Sequence, residues 1–211
     1  MIALCMGTQA QTPPPKEAPA NETKGMAPRE APTNYQAQGK AGKVTIGAEF
    51  MRHAIPTPQG ELSTEEYVVV EAGFFGAAGE RLKLDDADFS LRINGKKPLV
   101  SKAYGIVLAS DSVKDPQWEP PEAPKTSSGG ISTGGGGGAD ASAPPVPPKM
   151  PLPLKRLMEQ KVVKGALPQG DRALPVAGLL FFSYRGKSTG IQKVELVYDG
   201  PAGKATLALQ P

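Results

Sequence analysis

The sequence predicts an all-β domain, an antiparallel immunoglobulin-like sandwich of seven or eight strands with one short helix and a disordered internal insert. Three observations carry this. Apolar and polar residues alternate over several short runs, the period-two signature of half-buried strands. Clusters of Gly, Pro, Asn and Asp separate those runs. The chain has 25 Gly and 23 Pro in 211 residues, and the prolines concentrate in residues 11–43 and 119–153. What remains has the size of one ordinary domain, large enough to bury a core without disulfides.

Ile2 to Met6 is a short apolar run, and Thr8-Gln9-Ala10 is a small-x-small triplet followed by a polar, Pro-rich stretch. Residues 1–10 are expected to be the end of a secretory signal peptide whose charged start is missing. Cys5 is the only cysteine, so no internal disulfide is available. A lipid-attachment box wants a small residue before its cysteine, and Leu4 stands there. The expected location is extracytoplasmic, periplasmic or secreted, without a lipid anchor. No apolar run approaches the roughly 20 residues that cross a bilayer.

Residues 11–42 are rich in Pro, Ala, Gln, Thr, Lys and Glu, with Tyr35 the only aromatic. Such a segment buries too little apolar area to offset its ordering entropy and is expected to be a disordered tether. The single domain is expected to span 43–211. Val44, Ile46, Ala48 and Phe50 alternate as its first strand. His53 to Gly60, with Pro56 and Pro58, is expected as a loop. Tyr67 to Phe75 is apolar on both faces and is expected to be a central strand. Gly76 to Gly79 is a turn. Phe89, Leu91 and Ile93 point one way in the next strand, which ends at the hairpin signal Asn94-Gly95. Leu99-Val100 and Tyr104 to Ala109 are expected to supply one or two more strands.

A low-complexity loop is expected at 119–152. Its Gly134 to Gly138 block lacks the Gly-Lys-Ser/Thr of a phosphate loop and reads as a spacer. Leu154, Leu157, Met158 and Val162 recur at helical spacing, so residues 153–164 are the one expected helix. Its Lys155, Arg156, Lys161 and Lys164 lie opposite that stripe. The helix is read as packed on a sheet edge, with protection of that edge as the sharper possibility. Val176 to Tyr184, Lys193 to Tyr198 and Lys204 to Leu209 supply the last strands. The insert falls inside the domain, so the two halves flanking it must pair in space.

Three stretches carry a resemblance. They are Tyr67 to Phe75 with its Gly turn, Leu84 to Arg92, and Leu167 to Gly170 followed by Gly178 to Phe182 and Val194 to Tyr198. They resemble the telokin-like, immunoglobulin-type β-sandwich family of secreted or lipid-anchored bacterial proteins, which includes an extracellular immunoprotective mycobacterial antigen. The resemblance covers roughly residues 43–118 and 165–211. Gln169 between Pro168 and Gly170, the helix and the insert depart from the pattern. The shared motifs are structural, and the family brings no catalytic residues to transfer.

Charge and motifs narrow the function classes. Lys and Arg number 24 against 21 acids, a net charge of +3. No basic block interleaved with aromatics is present, which argues against nucleic acid. His53 is the only histidine, and no Gly-x-Ser-x-Gly elbow accompanies it. A zinc site lacks ligands. Asp85, Asp86 and Asp88 are the one acidic cluster that brings Ca²⁺ to mind, yet no Gly lies within it and no bidentate Glu follows at loop spacing. The bland reading, a solvated turn before a strand, is preferred. No catalytic residue, cofactor or metal is assigned. Trp118, Tyr104 and Tyr184 are the candidates for a ligand or partner surface, against burial as ordinary core aromatics. The expected function is a non-enzymatic interaction module whose partner is an envelope protein or a glycan. The alternatives are a carbohydrate or small-ligand binder using those aromatics and, disfavoured, a hydrolase.

Overall fold

The computed structural model describes residues 25–118 and 150–211. The expected signal peptide, the first part of the tether and nearly all of the insert lie outside the described residues. The strands are β1 (Ala37–Ala41), β2 (Val44–Arg52), β3 (Ala54–Thr57), β4 (Gly60–Thr64), β5 (Tyr67–Phe75), β6 (Arg81–Leu84), β7 (Phe89–Ile93), β8 (Leu99–Lys102), β9 (Val113–Lys114), β10 (Gly170–Ala173), β11 (Val176–Ser183), β12 (Val194–Gly200) and β13 (Gly203–Leu209). Two α-helices accompany them, α1 (Tyr104–Ala109) and α2 (Leu152–Gly165).

Eight strands form one sheet in the order β1-β2-β5-β11-β8-β7-β12-β13. Every neighbouring pair in it is antiparallel. Its first and last strands lie against each other, with Gly39 of β1 over the Leu207 side chain of β13. The sheet is therefore a near-closed barrel, and closure removes most of the exposed edge. The all-β, antiparallel expectation holds. The seven or eight strands expected become thirteen, and the two expected layers are joined by β8. That short strand pairs with β11 through Lys102 and Ser101 and with β7 through Val100 and Leu99.

The barrel interior follows from the alternation. Ile46, Val70, Phe74, Phe89, Leu180 and Leu196 are among its fully buried residues. Phe74, Phe89 and Tyr198 stack edge-on or tilted at centroid distances of 5.2–6.1 Å. The two halves flanking the insert pair as required: β5 with β11 from Tyr67↔Ser183 to Phe74↔Val176, β6 with β10, and β7 with β12. β5 is central, as its two apolar faces predict. At the end of β7, Asn94 and Gly95 both take positive φ, the backbone of a tight hairpin turn. The Asn94 side chain also donates to Gly190 O and accepts from the amides of Gln192 and Lys193, which fastens the approach to β12.

The outward faces of β5 and β11 are covered too. Tyr67, Val69, Leu179 and Phe181 form a second core with Met158 and Val162 of α2, Val107 of α1, and Ile55 and Leu62 of the β3–β4 hairpin. Burying each large apolar side chain there contributes about 1.5–3 kcal/mol. So α2, expected at a sheet edge, covers a sheet face.

Three further expectations are corrected. Tyr104 to Ala109 is helix α1, not a strand, because a six-residue apolar run carries no decisive period. His53 to Gly60 is mostly hairpin; Pro56 is tolerated because β3 is an edge strand of the small β3-β4-β9 sheet. Residues 25–42 of the expected tether pack on the barrel: Met26 bridges to Ala177, Tyr35 is buried and β1 is a full strand. β1 reads Ala-Gln-Gly-Lys-Ala. Its small residues fit the crowded barrel seam but give no apolar alternation to detect.

Candidate functional site

The acidic triplet sits where the chain enters β7. Asp85 caps a short 3-10 turn, its carboxylate accepting the Ala87 amide at 2.9 Å. Burial pushes the Asp86 carboxyl above its ordinary range; a hydrogen bond with Gln169 opposes this and the Asp85 charge adds to it. Burial likewise raises Asp88, with Asp85 reinforcing the shift. Among the described residues no three His, Cys, Asp or Glu side chains are grouped to hold a metal ion. The triplet is a turn whose first member is used for capping.

The candidate aromatics do not form one strip. Tyr104, at the start of α1, packs on the outer core, whereas Tyr184, just past β11, packs on the barrel core. The sheet therefore lies between them. Trp118 is half-buried beyond β9, its amide donating to Asp115 O at 3.0 Å in a turn.

His53 is held from both sides. Nδ1 lies 2.7 Å from Tyr67 O and Nε2 lies 3.0 Å from Gly186 O. Carbonyls only accept, so a neutral ring donates to one of them and a doubly protonated ring to both. Tyr184 stacks beside it at 6.2 Å, and Arg185 pairs with Glu66 at 2.8 Å. This arrangement pins the loop after β11 to the barrel rim.

A charged cluster escaped the sequence reading because its members lie far apart in the chain. Glu71 of β5 is only 5% exposed. Arg29 grips it in a fork, Nε to Oε1 at 3.1 Å and Nη2 to Oε2 at 2.7 Å, and reaches Glu49 with Nη1 at 2.5 Å. The two carboxylates and these hydrogen bonds raise the guanidinium's affinity for its proton. The same guanidinium lies 4.5 Å from the centre of the Tyr35 ring. That ring rests on Gly47 and Gly73, which face each other across β2 and β5. A Cβ at either glycine would collide with it. The cluster seals the outer face that α2 leaves uncovered.

The exposed apolar surface is the remaining feature. Among the described residues four large apolar side chains are strongly exposed: Val100 at 53%, Ile106 at 53%, Leu152 at 68% and Leu157 at 48%. Three of the four stand on α1 and α2. Leu152 and Leu157 are separated by about 140° around the helix axis at 100° per residue. The exposed Pro153, Arg156, Gln160 and Lys164 occupy the face between and beside them. Lys155 points toward α1 and pairs with Asp111. The helical period exposed the cations to sequence reasoning. The same spacing predicts Leu157 in the buried stripe, whereas the packing of α2 against β3 and α1 leaves it outward.

No protein-family model, curated protein or solved structure matches this chain.

Proposed function

We propose that this protein is a non-enzymatic interaction module that works outside the cytoplasm, an immunoglobulin-like sandwich drawn into a barrel, with α1 and α2 as its contact surface. The exposure of Ile106, Leu152 and Leu157 on the adjoining helices α1 and α2 carries the reading. On β12 and β13, by contrast, polar Glu195, Asp199, Lys204 and Thr206 hold four of the outward positions. Exposed apolar side chains gathered on one side mark contact surfaces. Two observations support the non-enzymatic part. Both nitrogens of the only histidine face backbone carbonyls, and the perturbed Asp86 and Asp88 belong to a capped turn. A glycan strip built on Tyr104 and Tyr184 loses support because the sheet separates them.

Site-specific photo-crosslinking in the producing cell tests the reading. A crosslinker at position 152 or 157 should yield a discrete adduct, protein or lipid, that one at Thr206 does not. Equal labelling at all three positions, or none at any, would overturn it.

A further inference from the structure

We infer that the α2 face and the adjoining end of α1 seat on an anionic lipid surface. This rests on the interaction-module reading and names the partner class for the same surface.

Charge is the first argument. Helix α2 carries Lys155, Arg156, Lys161 and Lys164 against the single acid Glu159, which is half-buried. Several basic side chains on or beside the strands are neutralised locally: Arg81 by Asp171, Arg92 and Lys193 by Glu195, Lys204 by Asp199, and Lys114 by Glu65. On α2 only Lys155 is paired so. Arg156, Lys161 and Lys164 have no ion-pair partner among the described residues. They form a local excess of positive charge, which anionic headgroups neutralise.

Shape is the second argument. Leu152 and Leu157 diverge across a convex arc, with Arg156 between them. Exposed apolar side chains interleaved with cations on one helix face suit the headgroup boundary, where the leucines enter the acyl region and the cations stay with phosphate. A fluid surface accommodates diverging anchors; a rigid protein partner would need a complementary groove for each. No helix of the described residues is long and apolar enough to cross a membrane, so the contact is peripheral.

Co-sedimentation of the full chain with phosphatidylcholine vesicles, alone or containing one-quarter phosphatidylglycerol, tests this at low and high salt. Binding should require the anionic lipid and weaken steeply with salt. Arg156→Gln and Lys164→Gln should each weaken it roughly fivefold, the factor that corresponds to about 1 kcal/mol per surface cation. Leu152→Ser with Leu157→Ser should weaken it at least threefold at unchanged charge, with thermal melts confirming that all variants fold. Absence of binding at low salt, or indifference to the leucine pair, would overturn the inference. A discrete protein adduct from position 157 together with absent vesicle binding removes the lipid surface but keeps the interaction module. Absence of both removes both.

Discussion

Replacing Arg29 with Met should destabilise the fold by about 3 kcal/mol, and replacing Glu71 as well should recover most of the loss. Glu71 is buried at 5% exposure, and the fork from Arg29 supplies two charge-assisted hydrogen bonds. Breaking a buried pair by removing one partner costs about 3–5 kcal/mol, because the remaining charge is stranded. Arg29 itself is 29% exposed, so water reaches the site and reduces that figure to about 2–3 kcal/mol. Loss of the cation over the Tyr35 ring adds about 0.5–1 kcal/mol. In Arg29→Met/Glu71→Leu no charge is stranded on β5, and such replacements of both partners are often close to neutral. Urea denaturation measures both variants, through the midpoint at unchanged slope. A loss below about 0.5 kcal/mol for Arg29→Met would refute the reasoning, which rests on the desolvation of Glu71. So would a double variant as unstable as the sum of the singles.

Four further outcomes are expected. The raised Asp86 carboxyl means that the folded state binds its proton more tightly than the unfolded chain. Stability from this group therefore falls as pH rises from the ordinary carboxylate range through the raised value. Asp86→Asn should stabilise the protein at pH 7 and lose that advantage in acid, as thermal melts across pH would show. The Ser101 hydroxyl is buried without a hydrogen-bond partner among the described residues, so Ser101→Ala should raise stability by about 1 kcal/mol; a loss would mean that the hydroxyl is satisfied. Gly47→Ala should cost about 1–3 kcal/mol by pushing the Tyr35 ring off the sheet; chemical denaturation at neutral cost would contradict the packing. His53→Ala should speed hydrogen exchange at Tyr184 and Gly190 while leaving β5 protected; uniform change across the barrel would show a global role instead.

What the sequence determined by itself was the inside and outside of each long strand. Val44 to Phe50, Phe89 to Ile93 and Ala205 to Leu209 alternate so regularly that their buried faces follow from period two alone. It also required the halves around the insert to meet, since neither Tyr67 to Phe75 nor Val176 to Ser183 can satisfy two apolar faces without neighbours. Asn94-Gly95 announced its own turn. The tertiary structure alone decided the rest, because the remaining choices depend on residues distant in the chain. Alternation puts apolar side chains inward in a sandwich and in a barrel alike, and the pairing of the short β8 with both β11 and β7 chose the barrel. Seam packing made β1 a strand despite its lack of apolar residues. Arg29 finds Glu71 across 42 residues, and His53 finds Gly186 across 133. Leu157 has the spacing of a core residue and became a surface one, because the axis along which α2 lies on β5 and β11 is set by the shapes of both layers rather than by the helix. That last choice, invisible in the chain, is the one that creates the proposed contact surface.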